Sequence, residues 1–171
     1  MATHPLDAAQ STSYIDDSEY ERFDGVLSER PVPGLSHADM QLRMTELLRP
    51  FESRVGGRVL QEWSISDGSG NWLTPDVTFS YPEIKMTRRE HLLVPARLVV
   101  EIRSSDQTLK TLFDKRERYR RWQIPHYWII DPLEIAAYEC PMEPESSSVI
   151  VLATDKLRAG EIEVAVANIF A

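Results

Sequence analysis

Three residues in the middle of the sequence have side chains whose types and spacing could do chemistry: Asp76, Glu101 and Lys115. Glu101 interrupts the apolar run Leu98, Val99, Val100, Ile102, and carboxylates are rarely buried without a partner. A structural ion pair is one explanation for it and a metal ligand is the other. Asp76 follows Pro75 where an extended segment begins. That place suits a turn or cap residue, and it equally suits a carboxylate projecting from the end of a sheet. Two carboxylates from neighbouring strands are what Mg²⁺ or Mn²⁺ accepts, because a hard cation takes oxygen ligands and keeps several of its waters. On a helix with about 100° between residues, Lys115 falls between Leu112, Tyr119 and Trp122 and points inward, either into a site or snorkelling to the rim of the core. Such a trio supports hydrolysis of a phosphodiester. The metal polarises the phosphoryl oxygens and lowers the pKa of a bound water. The ammonium orients that water or stabilises the charge that builds on phosphorus oxygens.

The elements that must position these residues are legible in the apolar periods. Asp24-Gly25 between Phe23 and Val26 predicts a tight hairpin. Met40, Met44, Leu47, Leu48 and Phe51 recur at helical spacing behind Ser36 as N-cap, with Pro50 kinking the helix or ending it early and Gly56-Gly57 as its stop. Val59 to Ile65 alternates, with Val59, Trp63 and Ile65 on one side. In Asp76 to Tyr81, residues Val77, Phe79 and Tyr81 face one way and leave Asp76 on the other. A polar, charge-rich loop runs on to Pro95. Arg97 to Arg103 reads as a core strand with Glu101 and Arg103 sharing a face. Leu109 to Trp122 is the second helix, and His126 to Ile130 a strand closed by Asp131-Pro132. Further strands are expected at Ile135 to Cys140, Val149 to Ala153 and Ile162 to Val166. Glu46 and Glu62 read as solvated, and His37 and the tryptophans as capping and core residues.

With 171 residues, 42% of them hydrophobic and 27% charged, the chain predicts one globular domain over 19–171 behind a flexible arm at 1–18. A lone cysteine, Cys140, excludes an internal disulfide and a zinc ribbon and suggests a reducing, cytoplasmic setting. The sequence shows neither a signal peptide nor a run of about eighteen apolar residues, so no membrane span is expected. A net charge of -8 argues against non-specific binding to phosphate backbones as the main task and makes any nucleic-acid contact local. The basic cluster at Lys85, Arg88 and Arg89 reads as a solvated face, and a second lies along 115–121, where Lys115 is the inward member.

Pro75-Asp76-Val77, then Pro95 with Leu98 to Ser104, then Lys115 with Tyr119, then Ile124 to Pro132 together resemble the Uma-two family of restriction endonucleases, within the PD-(D/E)XK superfamily. Tyr20-Glu21 with Asp24-Gly25, His37 and the closing Asn168-Ile169-Phe170 are similar to further family features. The resemblance implies an α/β (α+β) fold with a restriction-endonuclease-like core, a central mixed β-sheet flanked by helices. It also implies a Mg²⁺- or Mn²⁺-dependent endonuclease acting on DNA, and a homodimer is expected, so that two sites can address two strands. Asp76 and Glu101 would be metal ligands, and the catalytic lysine, Lys115, would come from the helix. The superfamily's usual lysine position, two residues after the glutamate, is Arg103 here. It could bind a substrate phosphate, or it could pair with Glu101 and displace the metal. A catalytically silent binding or assembly module on the same fold is the competing function.

Overall fold

A computed structural model describes residues 19–87, 90–143 and 151–171. The expected arm at 1–18, Arg88 and Arg89, and residues 144–150 lie outside them. In chain order the elements are β1 (Tyr20–Phe23), β2 (Val26–Glu29), α1 (Leu35–Leu48), α2 (Phe51–Val55), β3 (Val59–Gln61), β4 (Ile65–Ser66), β5 (Trp72–Leu73), β6 (Val77–Phe79) and β7 (Leu92–Leu93). They continue with β8 (Leu98–Ile102), α3 (Leu109–Arg121), β9 (Tyr127–Asp131), β10 (Ala136–Cys140), β11 (Val151–Leu152), β12 (Lys156–Ala159), β13 (Ile162–Ala165) and α4 (Val166–Ile169).

The expected central mixed sheet is present, in the order β11-β10-β9-β8-β6-β3. Its pairs are antiparallel except β8 with β9, which run parallel. A parallel pair needs a crossover between its strands, and α3 is that crossover. Strands covered on both faces read as continuous apolar runs, and β8 and β9 are buried along their whole lengths. One face packs Val77, Phe79, Leu98, Val100, Ile102 and Trp128 against Met40, Met44 and Leu48 of α1 and against Leu157, Ile162 and Val164. The other packs Val99, Tyr127 and Ile129 against Leu112 and Tyr119 of α3. A second, smaller sheet, β2-β1-β5-β4-β7, closes that face with Phe23, Ile65, Leu73 and Leu92.

Several boundaries differ from the sequence expectations. Gly34, not Ser36, caps α1, and it does so without a side-chain bond. Pro50 ends α1, and the helix resumes as the short α2 before Gly56 at φ 71° stops it. The alternation expected from Val59 to Ile65 breaks at Glu62, whose φ of 46° turns the chain from one sheet into the other. Ile65 consequently pairs with Leu73 and Leu92, while Trp63 is 37% exposed and lies outside the core that holds the other tryptophans. The loop ahead of Pro95 contains β7, and β5, β12 and α4 are further elements that the apolar periods did not reveal. Among the described residues, no helix is long and apolar enough to cross a membrane.

Gly57 shows how closely the α2–β3 turn lies against the central sheet. Its φ is 109°, and a Cβ there would lie 2.1 Å from the Ser80 carbonyl oxygen, a backbone atom that cannot swing aside. Gly57→Ala is expected to destabilise the fold by about 3 kcal/mol or more, since it combines backbone strain with a core clash. Thermal unfolding reads this as a fall in Tm on the order of 10 °C, and an unchanged Tm would mean that the turn is not built this way.

Candidate active site

The centre is assembled where β6 meets β8. The antiparallel register pairs Val77 with Val100, so one step further along Asp76 stands opposite Glu101 on the same face. Asp76 is fixed on every side. Its Oδ2 accepts from the Ile102 N–H at 2.6 Å, and its Oδ1 lies 3.2 Å from His37 Nε2. Its backbone carbonyl accepts from Gln41 Nε2 at 2.8 Å and from the Glu62 N–H at 3.1 Å. His37 and Gln41 are one turn apart in α1, so the first helix holds this aspartate through two of its residues.

Glu101 is 3% exposed. Its Oε1 accepts from Lys115 Nζ at 3.2 Å and from the Tyr119 hydroxyl in a short hydrogen bond. Lys115 and Tyr119 are four residues apart on α3, the spacing that stacks two side chains on one helical face. Lys115 Nζ also lies 2.9 Å from Glu21 Oε1. That oxygen accepts from the Thr74 N–H at 3.1 Å, so β1 of the small sheet reaches into the same cluster.

Burial pushes the Glu101 carboxyl up to about 7; Lys115 pulls against it, while the charges of Asp76 and Glu21 push the same way. Burial would lower the Lys115 ammonium, but Glu101 and Glu21 override it and hold the lysine above its ordinary value. For His37, burial again acts downward, and the Asp76 carboxylate against the ring wins, leaving the imidazole raised. His37 Nδ1 is buried without a hydrogen-bond partner.

The pocket over this cluster is lined by Arg30, Pro31, Pro33, His37, Glu62, Thr74, Asp76, Glu101, Ser104, Gln107 and Lys115. Its volume of about 20 Å³ exceeds the roughly 10–15 Å³ that one water-sized sphere needs. A nucleotide does not fit in it entire. Among the described residues no group of three His, Cys, Asp or Glu side chains is placed to chelate a metal. The acids that line the pocket from the two strands are the paired carboxylates Asp76 and Glu101, short of the four ligands of a caged zinc. Glu21, Asp76 and Glu101 are buried around the ammonium of Lys115, with His37 against Asp76 and Arg30 also lining the pocket.

The structure thus brings Asp76, Glu101 and Lys115 to one pocket and takes Arg103 elsewhere. Arg103 Nη1 is 2.8 Å from Asp131 Oδ2, and its Nε donates to the Gln107 carbonyl at 3.1 Å. Asp131 is fully buried, so the guanidinium is held at the end of β9 and not by Glu101. His37 is not a cap but a partner of Asp76, and Glu62, though exposed, lines the pocket. Glu46 is exposed, as expected. Sequence reasoning missed Glu21 as part of the centre. Its signal was modest: it is an acid on the same strand face as Phe23, which is buried.

The chain matches a family model, Uma2, described as "Putative restriction endonuclease", over residues 10–158. A crystal structure of a "putative nuclease belonging to DUF820" from Anabaena variabilis superposes with a TM-score of 0.72 at 17% identity, covering 88% of this chain and 89% of that one. At that identity it shows a shared fold. The DrdV-DNA complex gives a TM-score of 0.41 at 19% identity, over 74% of this chain and 10% of the other. No curated protein matches.

The raised Glu101 carboxyl has a consequence for stability in metal-free buffer. A carboxyl whose pKa is higher folded than unfolded leaves the native state binding more protons between the two values, so stability falls as pH rises through that window. Metal-free protein is expected to lose on the order of 2–3 kcal/mol between pH 4.5 and about 7 through this group, at about 1.4 kcal/mol per pKa unit. Glu101→Gln should flatten that fall. Urea unfolding across the window tests it, and identical slopes in the two proteins would remove Glu101 as the cause.

Proposed function

The chain belongs to the Uma2 family, and on that premise we propose that it is a metal-dependent endonuclease hydrolysing phosphodiester bonds in DNA. One observation carries the reading: Asp76 just ahead of β6, Glu101 in β8 and Lys115 in α3 line a single pocket. Asp76 and Glu101 would hold Mg²⁺ or Mn²⁺, and the bound ion would supply Lewis-acid polarisation of the scissile phosphoryl group. The chain's own residues do the rest. Lys115 keeps an ammonium at the pocket, where it can stabilise negative charge growing on phosphoryl oxygens. Tyr119 orients the Glu101 carboxylate by donating to Oε1, and His37 with the Ile102 N–H orients that of Asp76. Cutting both strands of a duplex calls for two such centres, which a homodimer would provide.

The second reading, a silent module on the nuclease fold, draws on two observations. Net charge is -8, unfavourable for a phosphate partner, and both Asp76 side-chain oxygens already have partners within the chain.

Calorimetric titration with Mn²⁺ of the wild type and Asp76→Ala separates the readings. The nuclease reading expects binding by the wild type that is lost in Asp76→Ala, and plasmid nicking that falls at least about 100-fold in Lys115→Ala. A wild type that binds no metal, or a Lys115→Ala variant that nicks as fast as the wild type, would sink it.

A further inference from the structure

A lysine placed two residues after the glutamate on a strand would be aimed by the backbone itself. Lys115 instead arrives from α3, and its ammonium must be aimed by contacts at the tip of a flexible side chain with about 2 kcal/mol of rotamer freedom. Glu101 alone offers one contact, at 3.2 Å through Oε1, and that oxygen is shared with the Tyr119 hydroxyl. The closer contact is Glu21, at 2.9 Å.

Glu21 is itself firmly placed. Its side chain is 7% exposed, β1 is paired on both sides, to β2 and to β5, and its Oε1 accepts from the Thr74 N–H. Thr74 lies just ahead of Pro75 and Asp76, so the same short stretch of chain anchors Glu21 and delivers Asp76. A buried carboxylate beside two others is unfavourable as a purely structural feature, because the desolvation and like-charge terms add. Lys115 already had a buried counter-charge in Glu101, so a simple ion pair required no Glu21.

Resting on the nuclease reading above, we propose that Glu21 is a positioning residue for phosphodiester cleavage, fixing the Lys115 ammonium at the pocket from the small sheet. The β1–β2 hairpin is therefore part of the active centre and not merely a cover over it. Glu21 does not touch substrate on this account; it acts through Lys115.

Cleavage of a labelled DNA duplex with Mn²⁺ tests this in the wild type, Glu21→Gln, Glu21→Asp and Asp24→Ala. Asp24 joins the same hairpin to α3 through Arg121, at 2.7 and 3.1 Å, without touching Lys115. Glu21→Gln is expected to lower kcat about 10- to 100-fold, the scale of a small misplacement of a catalytic group. KM should stay within about twofold, Glu21→Asp should recover part of the loss, and Asp24→Ala should keep kcat within about twofold of the wild type. Should Glu21→Gln not fold, Glu21→Asp carries the comparison through a smaller kcat loss at unchanged KM. Wild-type kcat in every foldable Glu21 variant would overturn the proposal. So would a loss in Asp24→Ala as large as that in Glu21→Gln, which would reduce Glu21 to hairpin rigidity. A wild type that cleaves nothing overturns the nuclease reading and this one with it, so the two failures are told apart by the wild type alone.

Discussion

The Glu101 carboxylate sits in a strand whose faces are both covered, and its burial dictates what must surround it. A buried carboxylate needs donors. Here they come from Lys115 and Tyr119, both on α3, so that helix must cross this face of the central sheet. It can do so because β8 and β9 are parallel neighbours, with α3 as the crossover that joins them. The tie is reinforced by the Tyr127 hydroxyl at the start of β9, which donates to the Leu112 carbonyl at 2.8 Å. Chemistry and topology are thus held by the same contacts, and loosening α3 would expose Glu101 and undock β9 together.

Arg103 has a different task from the one its position suggests. It leaves β8 just beyond Ile102 and pairs with Asp131 at the end of β9, while Asp131 Oδ1 accepts from the Leu133 and Glu134 N–H groups in the turn that follows. The pair clamps the ends of the two parallel strands. A buried acid stripped of its partner is costly, on the order of 3–5 kcal/mol, so this arginine contributes to the fold. The ammonium at the pocket comes from another element, α3.

How much of this could be read beforehand depends on the range of the interaction concerned. Glu101 stood out because a charge broke a five-residue apolar strand, and Lys115 because helical period placed it among Leu112, Tyr119 and Trp122. Both are local signals, and both residues lie in elements long enough to show a period. Glu21 and His37 carry a fainter mark, and nothing local ties either to its partner. Lys115 is 94 positions from Glu21, and only the closure of the small sheet onto the central one makes them neighbours. That sheet was itself hidden, since β4, β5 and β7 have two residues each, too few to display alternation. The break at Glu62 was illegible for a related reason: an acid at positive φ has no sequence signature as plain as that of glycine.

The acidity of the whole chain acquires a local meaning at the pocket. Three buried carboxylates and one ammonium leave Glu21, Asp76, Glu101 and Lys115 together net negative when all are ionised, and like charge repels a phosphodiester. Burial eases part of that by raising the Glu101 carboxyl towards neutral pH. On the reading proposed above, a divalent cation eases the remainder, because it would lower that carboxyl again and offset the negative charge that the phosphate must approach. Binding of cation and of phosphate would then be linked through one electrostatic term, each favouring the other, with Lys115 held charged throughout by the two glutamates that flank it.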